Sequence, residues 1–305
     1  MSEIFWVMSE KNQNKYSKIF DAEKKETIDQ QGYCVFEPNE KLYEWLGTGL
    51  NFLRDKIDSL LEIEGSHAGW EGREEFYKKG KKFEQIANRL GNLPNKSEHF
   101  MNFCNYPPII ECAKHVIKNE ICLSSSNFRE PLKNGKQQPL HIDWLPRLNE
   151  SDNFDCVIAM LYLDDSNIKN GALKLVPGTH KKLGYPDQYC NPLMEHPRSK
   201  SNILKSGSII VLNCNIWHRG GANISGERRR IINAIYRKRV LKQGLCQKKY
   251  LSKETISRMS YEQKKLFKVL KEDTEQEEKI FGPGKEYRQW LIENPKYNYS
   301  KTKEF

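Results

Sequence analysis

The sequence predicts a mainly β fold with α-helical additions, in which the strands form an antiparallel sandwich or jelly roll. The first observation is a series of short runs rich in Val, Ile, Leu and Tyr between about residues 121 and 240. The second is that Gly, Pro, Asn and Asp separate these runs, with no long helical segments between them. The third is an apolar stripe at helical spacing earlier in the chain, which indicates supporting helices.

The first 120 residues are predicted to be a mainly helical support. The run "GYCVFE" (32–37) indicates a strand, and after Pro38 the apolar spacing changes to three or four residues. We expect one helix there that ends near Gly65, with its stripe formed by Leu42, Leu46, Leu50, Leu53, Ile57 and Leu61. The charged stretch 72–90 is expected to be partly helical. "PPIIECAKHVIKN" (107–119) begins with prolines, which suit the first turn of a further helix.

The strand-like runs form the predicted core of the fold, residues 121–240. They are "ICLSSSNF" (121–128), "DCVIAMLYL" (155–163), "GALKLVPG" (171–178), "GSIIVLNCNIWH" (207–218) and "RRIINAIYRKR" (229–239). Residues 241–305 are predicted to be a helical extension, highly charged over 252–278 and broken by "FGPG" at 281–284. We therefore expect one domain over residues 1–305.

Composition narrows the class of protein. With 37% hydrophobic and 11% aromatic residues, a chain of 305 residues can bury a large core. Lys and Arg number 50 and Asp and Glu 40, so the formal net charge of +10 favours anions in general. Because basic and acidic residues are interspersed, we expect no nucleic-acid partner.

Cysteine usage and the amino terminus indicate a cytoplasmic protein. The eight cysteines show no CxxC or other paired spacing, so free thiols are expected instead of disulfides or a zinc knuckle. The apolar run in "MSEIFWVMSEKNQNK" is too short for a signal peptide or a membrane span, so no membrane association is expected.

The stretch "QPLHIDWLPR" (138–147) contains a potential metal-binding pair. His141 and Asp143 are two residues apart at what is predicted to be a strand end, so both side chains point to one face. Such a pair occurs by chance in many chains, and by itself it is a weak signal; the alternative is a surface histidine followed by a turn-capping aspartate.

A second histidine completes a recognisable ligand set. His218 ends a later apolar strand, which a sandwich can place opposite His141 and Asp143. Two imidazoles and one carboxylate form the facial triad of non-haem Fe(II) oxygenases, which leaves coordination positions open for a bidentate co-substrate and dioxygen. A structural zinc site is instead closed by four protein ligands.

An arginine is available for the far end of that co-substrate. Arg229 follows His218 after a Gly-rich turn, on the next antiparallel strand, where its guanidinium can bind a distal carboxylate through two hydrogen bonds. Its neighbours Arg228 and Arg230 should point the other way. The alternative is that Arg229 is one of three surface charges.

These residues resemble the phytanoyl-CoA dioxygenase family of Fe(II)/2-oxoglutarate-dependent oxygenases. The resemblance rests on His141-x-Asp143, "NGAL" (170–173), "LVPGTHK" (175–181) and His218 with Asn223 and Arg229. It covers residues 120 to 240 well and the helical amino-terminal part loosely. It implies a cupin-like double-stranded β-helix, Fe(II) bound by His141, Asp143 and His218, 2-oxoglutarate bound by Arg229, and O2 as second co-substrate.

The resemblance also implies further pocket residues and a reaction. Ser126 and Met160 match positions that line the co-substrate pocket in that family. Gly220 departs from the hydroxyl residue that some relatives carry, so one co-substrate contact is lost or supplied elsewhere. Halogenating relatives replace the carboxylate ligand by a small residue, so Asp143 favours hydroxylation-type chemistry. Turnover in this family oxidises an unactivated C–H bond and releases succinate and CO2, with desaturation or cyclisation as variants.

The substrate is predicted to be a small polar or anionic metabolite. Trp144 and Arg147 follow the ligand pair at the expected mouth of the barrel, where an aromatic wall and a cation can hold a substrate. An amphipathic loop packing on the fold has the same residue types. Trp217 is expected in the core and His180 in a turn. The remaining histidines, to which we assign no function, are His67, His99, His115 and His196.

Two other functions compete with the oxygenase, one based on the same site residues and one on the positive net charge. A binding or regulatory protein on this scaffold keeps the metal and 2-oxoglutarate but has no turnover. A basic nucleic-acid binder predicts duplex affinity that falls steeply with salt. The oligomeric state is open, because the helical additions can cover the sheet or pair two subunits.

Overall fold

Nine strands form two antiparallel sheets in the computed structural model, which describes residues 16, 18–64 and 87–274. The larger sheet has the strand order β1-β7-β4-β9-β3-β2, and the smaller has the order β6-β5-β8. The strands are β1 (Tyr33–Phe36), β2 (Ala87–Leu90), β3 (Ile121–Pro131), β4 (Cys156–Tyr162), β5 (Leu173–Val176), β6 (Lys200–Ser201), β7 (Ile209–Asn213), β8 (Trp217–Gly220) and β9 (Ile231–Lys238). The two antiparallel sheets, with helices on one side of the larger sheet, confirm the predicted jelly roll.

Strand β4 shows how the two faces of the large sheet are used. Val157, Ala159 and Leu161 belong to the core shared with the helices. Their alternating neighbours Ile158 and Met160 belong to a second core between the two sheets. Because both faces are buried, the strand is a continuous apolar run rather than an alternating one.

The helices cover the outer face of the large sheet through one apolar core. In the described part of the chain they are α1 (Ala22–Gln31), α2 (Glu40–Leu46), α3 (Leu50–Glu64), α4 (Glu98–Cys104), α5 (Pro107–Ile117), α6 (Gln247–Tyr250), α7 (Lys253–Arg258) and α8 (Tyr261–Phe267). Helix α5 begins at the predicted prolines, and its buried residues include Ile109, Cys112 and Val116.

The single helix predicted after Pro38 is two helices. Gly47 ends α2 in the left-handed region, at φ 72°, where its N–H bonds back to the carbonyls of Tyr43 and Glu44. The apolar stripe nevertheless continues across the break, because Leu46 and Leu53 are both buried. The helical spacing of the apolar residues therefore predicts the buried face correctly, but it does not predict the break between the two helices at Gly47.

The amino-terminal region also contributes strands to the sheet. Strand β1 pairs with β7, as expected for "GYCVFE", whereas β2 pairs with β3 at residues 87–90, where a partly helical stretch was predicted. Residues 72–86 of that stretch lie outside the described residues. The residue types at 87–90 fit the end of a charged helix as well as a strand. The pairing with β3 is what makes this segment a strand.

The predicted carboxy-terminal helix is also divided. Met259 ends α7, and the side chain of Ser260 caps α8 by accepting a hydrogen bond from the N–H of Gln263. The motif "FGPG" lies outside the described residues. No helix in the described ranges has the length and apolar character needed to cross a membrane.

The run predicted as one strand over 207–218 is broken between the two sheets. Strand β7 ends at Asn213, whose carbonyl accepts the N–H of Ile216 at 2.9 Å, and β8 begins at Trp217. The turn transfers the chain from the large sheet to the small one. His218 consequently lies on the small sheet, paired with Leu175 of β5, with its ring toward the inter-sheet space.

Candidate metal centre and co-substrate pocket

Backbone hydrogen bonds bring the predicted ligand pair beside β8. His141 and His218 form an isolated bridge in which each N–H donates to the other's carbonyl at 2.9 Å. The N–H of Asp143 donates to the carbonyl of Cys214 at 2.8 Å. Residues 141–143 are therefore fixed by pairing with β8 and with the β7–β8 turn, whereas the sequence predicts the end of a strand here.

The three predicted ligands converge on one point. Asp143 Oδ1 lies 3.6 Å from His141 Nε2, and Asp143 Oδ2 lies 3.2 Å from His218 Nε2. One ligand atom from each residue lies within 4.8 Å of the others. Within the described ranges this is the one group of three or more His, Cys, Asp or Glu residues close enough to hold a metal ion.

The orientation of both imidazoles leaves Nε2 available as a ligand. His141 Nδ1 lies 2.8 Å from the carbonyl of Pro139, and His218 Nδ1 lies 2.9 Å from the carbonyl of Ile216. A carbonyl only accepts, so each Nδ1 carries the proton. Such outer hydrogen bonds fix the tautomer of metal-binding histidines.

The electrostatics of the group also suit a cation. Burial, together with the adjacent His218, lowers the pKa of His141 to about 4, so this ring is neutral at physiological pH. Burial opposes ionisation of Asp143, but His218, His141 and Arg129 hold the pKa of its carboxyl well below its usual range. Burial likewise opposes protonation of His218, but Asp143 raises the pKa of this ring.

The donor set fits an open metal site. Two imidazole nitrogens and one carboxylate make the ligand set of non-haem Fe(II) oxygenases, and no fourth protein ligand closes the group in the described part of the chain. His141 and Asp143 keep about a third of their side-chain surface accessible, at 33% and 37%. The open side therefore faces a space that other ligands can enter.

Arg229 is buried and has no carboxylate partner among the described residues. It is 6% exposed, and its Nε donates to the carbonyl of Asn170 at 3.3 Å. Burial lowers the pKa of its guanidinium, while the nearby Tyr162 raises it. The hydroxyl of Tyr162 is itself buried without a hydrogen-bond partner in the described structure. A buried cation with a hydroxyl beside it and no carboxylate partner is chemically suited to an anion.

The flanking arginines point to the other side of the sheet, as predicted. Arg228 binds Asp58 of α3 and Glu130 of β3, with shortest contacts of 2.7 and 2.5 Å. Arg230 binds Asp164 at 2.8 Å and Asp58 at 3.0 Å. These ion pairs attach α3 to the sheet. Of the three arginines, Arg229 is the one that points to the interior.

The motif residues before Arg229 hold the turn that positions it. Asn223 donates to the carbonyls of Pro131 and Glu227, at 3.2 and 2.9 Å, and accepts the N–H of Gly226 at 2.8 Å. Asn170 of "NGAL" forms an isolated bridge with Asn223. The turn between the distal histidine and the arginine is thus determined by two asparagines.

The structure separates the two predicted pocket residues. Met160 faces the inter-sheet core, as expected for a residue that lines the pocket. Ser126 pairs with Ala234 of the helix-covered core and interacts with Cys104 of α4, so its side chain points away from the triad. We therefore correct this prediction by one residue: Asn127 is on the interior face, where its Oδ1 accepts from Asn233 at 2.9 Å.

The two predicted substrate residues, Trp144 and Arg147, also lie in different surroundings. Trp144 is half-buried and packs against the inter-sheet core, with the guanidinium of Arg237 over its ring at 4.1 Å. Arg147 is not brought to the triad. Its guanidinium lies 4.9 Å from the ring centre of Phe154 and donates to backbone carbonyls of its own loop and of the "PGTHK" turn, namely those of Asn149, Glu150, Asp152 and Lys181. The alternative that this loop simply packs on the fold is correct for Arg147.

Sequence reasoning missed two groups near the triad. Arg129 of β3 influences the pKa of His141, Asp143 and His218, which places its charge close to all three. Gln138 fills the space beside Gly220: its Oε1 accepts the N–H of Gly220 at 2.8 Å and would lie 2.8 Å from a Cβ at that position. Period-two alternation counted from the apolar Phe128 would have assigned Arg129 to the interior face.

Comparison with known families agrees with this geometry. Residues 28–231 match the sequence model of the family described as "Phytanoyl-CoA dioxygenase (PhyH)". The match covers more than half of the chain and includes the triad and Arg229.

Individual relatives are more distant. The chain is 27% identical over 160 residues to "Uncharacterized protein Rv1501" of Mycobacterium tuberculosis, which covers 48% of this chain and 54% of that protein. The chain thus spans about half the length of this relative. It is 24% identical over 200 residues to the "Probable alpha-ketoglutarate-dependent hypophosphite dioxygenase" of Stutzerimonas stutzeri, covering 58% of this chain and 67% of that protein.

A solved structure shares the fold. HygX from Streptomyces hygroscopicus with nickel and 2-oxoglutarate bound superposes with a TM-score of 0.55 at 15% identity, over 73% of this chain and 88% of that one. From the family match, the chain belongs to the phytanoyl-CoA dioxygenase family of Fe(II)/2-oxoglutarate-dependent oxygenases.

Proposed function

We propose that this protein is an Fe(II)/2-oxoglutarate-dependent dioxygenase that oxidises an unactivated C–H bond of a small polar or anionic metabolite, by hydroxylation as the default outcome. The observation that carries the proposal is the convergence of His141, Asp143 and His218 within 4.8 Å, in a chain that also buries Arg229 without a carboxylate partner. When bound, Fe(II) and 2-oxoglutarate would supply the O2-dependent oxidising chemistry, in which 2-oxoglutarate is consumed to give succinate and CO2.

The residues of the chain bind and orient these groups. His141, Asp143 and His218 hold Fe(II) through Nε2, a carboxylate oxygen and Nε2. Arg229 holds the distal carboxylate of 2-oxoglutarate, and the buried hydroxyl of Tyr162 adds a hydrogen bond to the same group. Met160 forms an apolar wall of the co-substrate pocket.

The remaining polar groups define the substrate side. Trp144, held under Arg237, forms an aromatic wall at the mouth. The amide pair of Asn127 and Asn233 lies on the interior face of the large sheet, where it can orient a polar substrate. The relative named as a hypophosphite dioxygenase supports a small substrate, and its name favours a charged one.

The test is co-substrate binding and turnover in matched variants. We expect wild-type protein with Fe(II) and ascorbate to convert 2-oxoglutarate to succinate, and a screen of metabolites to identify compounds that accelerate this conversion. Arg229→Gln should weaken 2-oxoglutarate binding by about 30-fold or more, because losing one partner of a buried charged pair costs roughly 2 kcal/mol or more.

Arg228→Gln is the control, because it removes the same charge from the opposite face of the sheet. Its 2-oxoglutarate affinity should match that of the wild type. Equal affinity in Arg229→Gln and wild type would refute the assignment of Arg229. Tight 2-oxoglutarate binding with no succinate under any condition would instead indicate a silent binding protein on the same scaffold.

A further inference from the structure

One face of β3 presents a polar row to the inter-sheet space. Phe128 belongs to the core under the helices, so its alternating neighbours Asn127 and Arg129 point to the opposite face. Their partners on β9 agree: Asn127 pairs with Asn233, and Arg129 pairs with Ile231 of the inter-sheet core. The guanidinium of Arg129 therefore extends from the sheet toward the triad.

Arg129 lies close to the triad and to Arg229 but binds neither. Burial and the cations Arg89 and Arg229 together lower its pKa to about 10, against the opposing effect of Asp143. No hydrogen bond or ion pair joins it to another residue of the described ranges. A partly buried guanidinium without a counter-ion is unfavourable, so the fold retains it at a cost.

The sum of charges in the site with Fe(II) and 2-oxoglutarate bound indicates what could offset that cost. Fe(II) contributes two positive charges, and Arg129 and Arg229 contribute one each. Asp143 contributes one negative charge, and 2-oxoglutarate contributes two. One positive charge is left without a partner in a poorly solvated space, where charge interactions are strong.

We propose that Arg129 binds an anionic group of the substrate, either a carboxylate or a phosphorus oxyanion, and so selects anionic substrates. The proposal rests on the proposed function, because both carboxylates of 2-oxoglutarate are assigned there, one to the metal and one to Arg229. The planar guanidinium can bind two oxygens of either anion at once.

The neighbouring amide pair indicates a second feature of the substrate. Asn233 donates its Nδ2 to Asn127, and its buried Oδ1 has no partner among the described residues. An unpartnered buried acceptor requires a donor. A hydroxyl or amino group next to the anionic group of the substrate would satisfy it.

The experiment uses matched probes that differ in charge. Wild-type protein is loaded with Fe(II) and 2-oxoglutarate without O2. Binding of acetate and of acetamide, and of methylphosphonate and of its dimethyl ester, is then measured by calorimetry at constant ionic strength. The same measurements are made on Arg129→Gln, on Arg129→Lys and on the outward-facing control Arg228→Gln.

We expect the wild type and Arg228→Gln to bind one of the anions roughly 10- to 100-fold more tightly than its neutral partner. Arg129→Gln should lose this preference while its 2-oxoglutarate affinity stays within about 2-fold, and Arg129→Lys should keep part of it. The acetate and methylphosphonate arms distinguish a carboxylate from a phosphorus oxyanion.

Two results would overturn the proposal. One is equal binding of charged and neutral probes by the wild type. The other is a loss of 2-oxoglutarate affinity in Arg129→Gln as large as in Arg229→Gln, which would assign Arg129 to the co-substrate. A wild type that binds no 2-oxoglutarate would contradict the proposed function and this proposal together, whereas 2-oxoglutarate binding without anion preference contradicts this proposal alone.

Discussion

At the residue scale, burial sets the chemistry of individual side chains near the site. His180 of the "PGTHK" turn is 2% exposed, and its Nε2 donates to the carbonyl of Asp29 at 3.3 Å. Its Nδ1 is buried without a partner in the described part of the chain. Burial, with smaller contributions from Lys181 and Arg147, lowers the pKa of this ring to about 4. His180 is therefore a neutral structural residue, and it lies in a turn as the sequence predicts.

This burial predicts a pH-dependent stability. The folded pKa of His180 lies below the unfolded value, so between about pH 6.5 and 4 the unfolded chain binds a proton that the folded chain does not. Stability is therefore lost as the pH falls through this window. From pH 7 to 5 the wild type should lose about 2 kcal/mol more of its free energy of unfolding than His180→Gln. Urea denaturation of both proteins at the two pH values measures the difference, and parallel losses would contradict it.

At the element scale, helix α3 packs on the large sheet through one apolar face. Ile57 is fully buried in the core between helices and sheet, whereas Ile63 on the same helix is 81% exposed. Arg54 also fixes this helix to the sheet by donating to the carbonyl of Leu163 at 2.9 Å. The helix is thus attached by one apolar face and by polar contacts beside it.

Two identical substitutions on this helix should therefore have different effects. Ile57→Ala should lower the free energy of unfolding by about 2–5 kcal/mol, because it leaves a cavity in a packed core. Ile63→Ala should change it by less than about 0.5 kcal/mol. Chemical denaturation of the pair provides the comparison. A similar loss in both variants would mean that the packing of α3 differs from that described.

At the scale of the whole molecule, the site joins the two sheets. His218 belongs to the small sheet, Arg229 lies two residues before β9 of the large sheet, and His141 bridges to β8 from a loop. A group bound by all of them links elements that are far apart in sequence. Binding to the folded state alone must then stabilise the entire fold.

Metal and co-substrate should therefore raise the melting temperature together. At about 100 times the dissociation constant, a ligand adds roughly 2.7 kcal/mol, which corresponds to a rise of about 5 °C for a chain of this size. Fe(II) with 2-oxoglutarate under nitrogen should produce this rise in the wild type, and a chelator should reverse it. Asp143→Ala, which lacks the carboxylate ligand, should show no rise. The same shift in both proteins would place the binding site elsewhere.

The sequence by itself determined the family, the ligand types and most of the strands. His141, Asp143, His218 and Arg229 were identified from residue type and from their places at strand ends, because alternation and helical spacing are local properties of the chain. The convergence of His141, Asp143 and His218 in the structure agrees with the predicted ligand set, and the fold shared with HygX confirms the predicted jelly roll.

Only the tertiary structure decided which neighbouring side chains share the site. Strand pairing set the register of β3, which turned Ser126 toward the helices and Arg129 toward the triad. The loop after Trp144 turned Arg147 onto its own carbonyls, and the turn after Asn213 moved His218 to the second sheet. A one-residue shift in pairing reverses every side chain of a strand, and that pairing depends on partners distant in sequence.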